Sequence, residues 1–454
     1  MQRLSFKEKF GYSMAEIGGS GLWQILSIFL AIYYTDTFGL EAASVATLFL
    51  VVRIFDAVND PMMGIIADRT ETKWGKFRPY LLFLAVPFGV LTLALFYGPD
   101  LSPQGKLTYA YVTYILMMIV YTAVMIPVSA LSGVLSADAK DRTSVNVFRF
   151  AAAFGIAMLL QRLLKPSVEF FGNGDETLGF RWTLGIFVVL AIIGFVIAFL
   201  STKERVKPPK TPKGEGRIVD DLKDLAACRS WRTILFVSIL LWFFFSVRGG
   251  VQIYYFKYYF GDEAAVSAFM FWGTFCTFLG VLSTSWLTRY FEKKSLLIFC
   301  LITWGVLCLG FYIVEPGDLV TLYIFQITSS LAGGPSMPLI WSMMGDSADH
   351  FEYERRRRAT GLVFSASTLA QKFGGALGAA AGLYVLAWYG FEANEEQNEG
   401  VLRGMKDMMS WYSTIGFVLC ALLALSYPLS RKKMEMIEEE LANRKDGASP
   451  AGTA

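Results

Sequence analysis

Long apolar runs, separated by short polar stretches, dominate the chain. A helix needs about 20 mostly apolar residues to cross the roughly 30 Å hydrocarbon core of a bilayer. Twelve runs are about that long, and we refer to them as spans 1 to 12. Their limits are 12–36, 44–66, 79–98, 107–132, 146–168, 181–201, 232–258, 264–289, 296–314, 319–344, 359–388 and 407–429. The pattern predicts an all-α integral membrane protein with twelve transmembrane helices.

Lys and Arg residues are concentrated in alternate loops. They cluster in the N-terminal stretch, in the loops after spans 2, 6, 8 and 10, and after span 12. The opposite loops TFGLEAAS, FGDEAA and VEPGDL contain neither residue. Because short cytoplasmic loops carry the excess of Lys and Arg, we expect both termini to be cytoplasmic.

The loop after span 6 separates two sets of six spans. Its sequence, KERVKPPKTPKGEGR, predicts a flexible joint because it is rich in Lys, Pro and Gly. Weak repetition links the halves, since LSADAKDRTSVNVFRFAAAFG follows span 4 and MGDSADHFEYERRRRATGLVFSA follows span 10. We expect an N-terminal half at 1–201, a cytoplasmic central loop at 202–231, a C-terminal half at 232–430 and a cytoplasmic tail at 431–454. This organisation is typical of a major facilitator transporter, whose site lies near the midplane.

The composition excludes several classes of protein. Of the 454 residues, 54% are hydrophobic and only 17% are charged, whereas globular domains contain about 25% charged residues. A net charge of +3 gives no support to a nucleic-acid partner. Five widely spaced cysteines and a single histidine, His350, favour neither a disulfide framework nor a multi-histidine metal site. We therefore expect no cofactor apart from a coupling ion.

Span 2 contains the densest group of polar residues, in the sequence VVRIFDAVNDPMMG. An ionisable residue inside the membrane costs about 2.5–3.5 kcal/mol and marks a function or a buried pair. Asp56 and Asp60 share one helical face with Arg53, and Asn59 adjoins them. Two adjacent carboxylates repel unless a cation lies between them or one is protonated. The group therefore predicts a Na⁺ or H⁺ site, and the alternative is a purely structural Arg–Asp network.

Polar and aromatic residues in other spans are candidates for binding a sugar. These candidates are Ser20, Trp23, Gln24, Arg149, Gln252, Trp341 and Lys372. Each Trp could instead lie in an interfacial belt or fill the core. Lys372 could also be a structural countercharge to the span 2 carboxylates. Glu16 and Arg248 could be structural or functional.

Charged residues near the cytoplasmic ends of the spans predict a gating network. Asp68 and Arg69 after span 2 are expected to pair with Asp138 and Arg142 after span 4, and Arg53 is grouped with them. A second set in the other half comprises Asp346, Asp349 and the arginines at 355–358, which include Arg358. Ion pairs that break on opening bias an equilibrium between two states, so this network could latch the outward-facing state.

Four motifs resemble the glycoside–pentoside–hexuronide:cation symporters, the melibiose-permease-like branch of the major facilitator superfamily. They are FLAIYYTDTFGL, FLVVRIFDAVNDPMMGIIADRTETKWGKFRPY, the FR at 148–149 and GDSADHFEYERRRRATGLVFSASTLAQKFGGALG. The resemblance covers most of the chain. It implies that Asp56 and Asp60 bind the coupling cation with help from Thr122, and that Arg149 and Lys372 are functionally important.

The sequence also departs from melibiose permease. Ser20 and Met125 stand where that protein has galactoside-binding aspartates, and Ser129 stands where it has a sugar-facing tryptophan. The sugar pocket is therefore differently built. The stretch SASTLAQKFG is more similar to the xyloside, glucuronide and oligosaccharide members of the family.

The expected function is Na⁺- or H⁺-coupled symport of a sugar or glycoside across a bacterial inner membrane. The alternative is a carrier of another solute on the same scaffold, such as a lysolipid or a sulfonated sugar. An enzyme would need a nucleophile–base pair or a metal cluster, which His350 alone does not offer. The expected partners are a small sugar, the coupling cation and the bilayer, and the protein is expected to function as a monomer.

Overall fold

The computed structural model describes residues 4–174, 176–206, 218–262, 265–356, 360–391 and 395–447. The residues within these ranges form helices, turns and loops, and none of them lies in a β-strand. The predicted all-α class is therefore confirmed.

The helices follow the apolar runs of the sequence. In chain order they are α1 (Phe6–Ile32), α2 (Ala42–Arg69), α3 (Arg78–Phe83), α4 (Ala85–Leu95), α5 (Pro103–Ser132), α6 (Ala139–Gly172), α7 (Glu176–Ser201), α8 (Ile218–Ala227), α9 (Arg229–Tyr254), α10 (Ala265–Tyr290), α11 (Lys293–Leu309), α12 (Leu319–Gly333), α13 (Ser336–Arg355), α14 (Thr360–Trp388), α15 (Glu399–Asp407), α16 (Ser413–Ala424) and α17 (Arg431–Gly447). Wider π-helical turns extend α1 and α9 and join α15 to α16, and a 3₁₀ turn follows α11.

Seven helical segments in the described part of the chain are long and apolar enough to cross a membrane. They are Pro103–Ser132, Ala139–Leu160, Leu178–Ser201, Arg229–Phe260, Ala268–Tyr290, Lys293–Tyr312 and Glu399–Ala424. The total of twelve spans and the cytoplasmic position of the termini stay predictions.

Two predicted spans are interrupted. Span 3 consists of α3 and α4, which meet at Leu84. Span 10 consists of α12 and α13, which are separated by Gly334 and Pro335. A β-carbon on Gly334 would lie 2.5 Å from the carbonyl oxygen of Thr277. The small residue therefore allows α10 to approach closely at the break, and proline lacks the amide that would continue the α12 hydrogen bonds.

The central loop and the C-terminal tail each contain a helix that lies outside the predicted spans. The stretch predicted to be a flexible joint, KERVKPPKTPKGEGR, is 203–217, and the loop continues after it as α8. Apolar residues three or four positions apart give α8 one apolar face, and its Leu225 is buried. Residues 207–217 of the loop lie outside the described ranges. The tail at 431–454 begins with α17.

The chain forms two compact units. The first unit contains Met1–Ala137, Phe148–Lys207 and Thr360–Ser365, and the second contains Asp138–Val147, Pro208–Ala359 and Ala366–Ala454. In the first unit α1 packs along α7, and α5 packs against α2 and α4. In the second unit α16 packs against α9 and α11, and α10 packs against α12. The half boundaries predicted at 201 and 232 stay predictions.

Small residues bring α1 and α7 close together. A β-carbon on Gly194 of α7 would lie 2.5 Å from the carbonyl oxygen of Met14, and one on Gly18 of α1 would lie 3.0 Å from that of Ala191. Membrane helices associate without a hydrophobic driving force between them, so close backbone packing stabilises their contact. The packing of α1 against α7 is therefore sensitive to larger side chains at these glycines.

Replacing Gly194 should destabilise the first unit. The added side chain of Gly194→Leu would clash with the backbone of α1 and should cost about 1–3 kcal/mol. Thermal unfolding in detergent, monitored by size-exclusion chromatography, measures the loss of stability. Gly185→Leu is the matched control on the same helix, because a β-carbon there meets no atom within 4 Å. Equal melting temperatures for the two variants would contradict this packing.

Candidate functional site

The carboxylates of span 2 lie together in the first unit. Asp56 and Asp60 occupy successive turns of α2, and both side chains are buried. Thr122 of α5 is also buried, and its Oγ1 lies 3.2 Å from the Oδ1 atom of each aspartate. The structure therefore brings together the three residues that the sequence predicts as the core of a cation site.

The Thr122 hydroxyl is shared between the two carboxylates. The Thr122 hydroxyl has one proton and can satisfy only one of the two carboxylates at a time. Carboxylate and hydroxyl oxygens are the ligands that hard cations take, and a proton on one carboxylate would equally relieve the repulsion. Asn59 is half-buried on the same helix, and its Nδ2 has no hydrogen-bond partner among the described residues. Cation binding by these residues stays a prediction.

A buried ion pair joins α1 to α6 in the same unit. The Nε of Arg149 donates to Oε1 of Glu16, and the Ser20 hydroxyl donates to Oε2 of that carboxylate. The Nη2 of Arg149 donates to Ser129 Oγ at 3.0 Å. Charged hydrogen bonds of this kind are the strong ones in proteins. The result is a polar cluster of Glu16, Ser20, Ser129 and Arg149, which we call the Glu16–Arg149 cluster.

The sequence predicted Arg149 and Ser20 as substrate residues but left the role of Glu16 open. It did not predict that Glu16 and Arg149 are partners. The sequence contained a signal for this pairing. Burying an unpaired charge in an apolar span costs free energy, so an acid and a base in such spans are expected to pair.

An aromatic surface lies beside the carboxylates. Trp23 of α1 is half-buried and stacks on Tyr121, with ring centroids 4.9 Å apart and an angle of 29° between the planes. Tyr121 directly precedes Thr122 in α5 and was missed by the sequence interpretation. The Cζ of Arg53 lies 5.4 Å from the Trp23 ring centroid, which is within cation–π range. Gln24 is half-buried on α1.

The other predicted substrate residues belong to the second unit. Gln252 on α9 and Trp341 on α13 are buried, and Lys372 on α14 is half-buried. Arg248, one turn before Gln252, donates to Gln326 at 2.9 Å. The roles of Gln252, Trp341 and Lys372 in substrate binding stay predictions.

Arg142 is the centre of a charge network in the second unit. Its side chain is only 1% exposed, and its Nη2 and Nη1 atoms each form a 2.8 Å ion pair, with Asp346 and Asp349 respectively. Lys293 Nζ lies 2.6 Å from the other oxygen of Asp346. Glu438 of α17 lies 3.3 Å from Arg142 Nη2. The sequence placed Arg142 and the two aspartates in separate networks, whereas the structure joins them and adds Lys293 and Glu438.

Two other members of the predicted gating set cap helices. The Asp68 carboxylate accepts from the backbone amides of Gly361 at 2.7 Å and Leu362 at 3.0 Å. These amides belong to the first turn of α14, where backbone donors have no partner within the helix. Asp138 accepts from the amide of Lys140 at 2.7 Å at the start of α6.

Two further residues complete the predicted gating set. Arg69 is exposed at the end of α2. Arg358 lies outside the described residues. The gating function of the whole set stays a prediction.

Burial raises the pKa of Glu438 to about 7, and the charges of Asp346 and Asp349 act in the same direction. Arg142 and Lys293 act in the opposite direction. The carboxyl group thus changes charge near neutral pH while it touches the Arg142 network.

The family model described as MFS/sugar transport protein matches residues 11–431 of the chain. The inner membrane symporter YicJ of Escherichia coli K12 is 33% identical over 446 residues, which cover 97% of this chain and 96% of YicJ. The isoprimeverose transporter of Lactiplantibacillus pentosus is 32% identical over 441 residues, which cover 96% of this chain and 91% of that protein.

A solved structure shares the fold. The crystal structure of the fucose:proton symporter FucP of Escherichia coli superimposes with a TM-score of 0.67. The match covers 93% of this chain and 97% of FucP, with 14% sequence identity. The similarity therefore concerns the fold alone.

Glu16→Gln should destabilise the protein. The substitution removes the charge that balances the buried Arg149 guanidinium, and breaking a buried pair from one side costs about 3–5 kcal/mol. Thermal unfolding in detergent measures this loss. The double variant Glu16→Gln with Arg149→Gln should recover part of the stability, because no single charge is left behind. A Glu16→Gln protein as stable as the wild type would contradict the pairing.

The stability contribution of Glu438 should fall as the pH rises. Its folded-state pKa of about 7 is above the usual 4.5, so between these values the folded protein holds a proton that the unfolded chain has lost. The free energy of unfolding of the wild type, relative to Glu438→Gln, should therefore decrease from pH 5 to about pH 7. Unfolding in detergent at several pH values measures it. The control is Glu439→Gln on the exposed side of α17. A difference in the free energy of unfolding between the wild type and Glu438→Gln that did not change with pH would contradict the prediction.

Proposed function

Because the chain belongs to the MFS/sugar transport protein family, we propose that it is a secondary transporter that couples a Na⁺ or H⁺ gradient to the movement of a sugar or glycoside. The family membership confirms the resemblance found in the sequence. Together with the apolar helical segments of the described part and the inner-membrane relative, it confirms a multi-pass protein of the bacterial inner membrane.

The observation that carries the proposal is the position of Thr122. Its hydroxyl oxygen is 3.2 Å from both Asp56 and Asp60, which are buried in α2. Two carboxylates and a hydroxyl provide negative charge and oxygen ligands at one point. Na⁺ would be bound by these oxygens, whereas H⁺ would reside on one of the carboxylates. In either case the bound cation reduces the repulsion between the aspartates.

The Glu16–Arg149 cluster is the proposed polar part of the sugar site in the first unit. Its hydroxyl, carboxylate and guanidinium groups include both donors and acceptors, as a polyol requires. The Trp23 ring supplies an adjacent apolar face of the kind that packs on a sugar ring. Ser20 and Ser129 replace the larger residues of melibiose permease, which leaves room for a different glycoside. The isoprimeverose transporter among the relatives supports a sugar substrate.

Cation and sugar are proposed to bind cooperatively. Thr122 and Tyr121 are neighbours in α5, and Tyr121 stacks on Trp23. A cation at the aspartates would therefore fix the segment of α5 that supports the aromatic face. If the cation increases sugar affinity by some factor, linkage requires the sugar to increase cation affinity by the same factor. Lys372, Gln252 and Trp341 remain proposed substrate residues of the second unit.

The remaining parts of the proposal concern chemistry and assembly. We propose that the protein transports its substrate unchanged by alternating access, without enzymatic activity. It would need no cofactor besides the coupling ion, and it would act as a monomer in the bilayer.

Transport by purified protein in proteoliposomes tests the function. A panel of labelled glycosides should be offered while the Na⁺ and pH gradients are varied independently. One gradient should drive accumulation of at least one glycoside. Asp60→Asn and Asp56→Asn should each abolish this accumulation, because they remove a charge from the cation site, while counterflow of the sugar without a gradient should persist.

Thr122 offers a finer comparison. Thr122→Val should weaken cation dependence, and Thr122→Ser should retain it because the hydroxyl is kept. Thr113→Val is the matched control on α5, since the Thr113 hydroxyl bonds to the Tyr109 carbonyl of its own helix at 2.7 Å. Normal accumulation by a double Asp56→Asn and Asp60→Asn variant would overturn the cation site. Absence of any glycoside flux would overturn the sugar assignment.

A further inference from the structure

The single histidine of the chain lies beside a cysteine and a glutamate. Cys228 immediately precedes α9, whereas His350 and Glu354 are four residues apart on α13. One ligand atom from each of the three side chains lies within 4.8 Å of the other two. The three residues, which we call the Cys228 cluster, all belong to the second unit. They are separate from the residues proposed to bind the cation and the sugar.

The atoms of the cluster suit a transition-metal ion. Thiolate sulfur, imidazole nitrogen and carboxylate oxygen are the protein ligands of zinc. Residues four apart on a helix point to the same side, which places His350 and Glu354 together. Their Nε2 and Oε1 atoms are 3.4 Å apart. Two ligand atoms of a tetrahedral zinc ion, each about 2.0–2.1 Å from the metal, are separated by about this distance.

The surroundings hold the imidazole in place. Ser230 Oγ lies 2.9 Å from Nδ1 of His350, and Cys228 Sγ lies 3.8 Å from the same nitrogen. A metal-bound histidine usually uses its second nitrogen for a hydrogen bond that fixes the ring. Ser230 fills that role at Nδ1, so Nε2 is the nitrogen that faces Glu354 and remains for an ion. The Cys228 thiol would have to rotate about its Cα–Cβ bond, away from Nδ1, to reach an ion at Nε2.

An ion would relieve a close contact between His350 and Glu354. A neutral ring whose Nδ1 donates to Ser230 turns the lone pair of Nε2 toward the carboxylate of Glu354. Two acceptors at this distance repel each other, and an ion between them would replace the repulsion by two bonds.

We propose that Cys228, His350 and Glu354 bind a divalent transition-metal ion of the zinc class, with solvent completing the coordination. Cys228 and His350 are buried, whereas the Glu354 side chain is 47% exposed and gives the ion a route from solvent. The ion would tie the end of α13 to the junction of α8 and α9. Because Asp346 and Asp349 are on α13, metal binding would also restrain the Arg142 network.

Cobalt titration of the purified full-length protein tests the site directly. The affinity tag should contain no histidine, so that the metal cannot bind to the tag. Wild-type protein should bind one Co²⁺ ion with thiolate-to-cobalt charge-transfer absorption, and Zn²⁺ should displace it. This readout does not depend on transport, so a failed uptake assay would leave it unaffected.

Variants distinguish the site from adventitious binding. Cys228→Ser should lose the charge-transfer band, and His350→Gln and Glu354→Gln should weaken binding at least about tenfold. Cys300→Ser, at another buried cysteine in α11, should bind like the wild type. Because the Glu354 side chain is exposed, Glu354→Gln tests the proposal even if the variants at the buried Cys228 and His350 do not fold. A charge-transfer band that survives Cys228→Ser, or unchanged affinity in Glu354→Gln, would overturn it.

Discussion

A charge inside a bilayer or a packed helical core has no water to solvate it, and this constraint organises the polar parts of the protein. Glu16 and Arg149 form a buried pair in the first unit, and Arg142 pairs with Asp346 and Asp349 in the second. Each pairing avoids a penalty of several kcal/mol per isolated ion. The helices that carry these residues must therefore pack so that opposite charges meet.

The carboxylates of α2 illustrate the functional side of the same constraint. Thr122 supplies a hydroxyl to Asp56 and Asp60, but a hydroxyl carries no charge and has a single proton. The oxygen atoms that meet here are of the kind that bind a hard cation. In the Glu16–Arg149 cluster the two charges neutralise each other. The cluster can therefore offer hydrogen bonds to an uncharged polyol while its own charge remains balanced.

Charge pairing and backbone capping hold two short segments of the chain in place. Residues 138–147 belong to the second unit, where Arg142 is held by the aspartates of α13 and by Glu438 of α17. Residues 360–365 belong to the first unit, where Asp68 accepts two amides of the first turn of α14. The carboxylate also interacts favourably with the positive end of the helix dipole. Strong local interactions thus hold these two segments to their neighbours.

The sequence by itself determined the all-α class, the positions of the apolar runs and the placement of the two α2 aspartates on one helical face, because hydrophobicity and helical spacing are local properties. It missed the interruptions in spans 3 and 10. It left the partner of Arg149 unknown and assigned Arg142 to other charges. Glu16 and Arg149 are 133 residues apart, and Arg142 and Asp346 are 204 apart. Only the packing of helices brings such residues together, so tertiary structure alone decided which charges pair and which surround the single histidine.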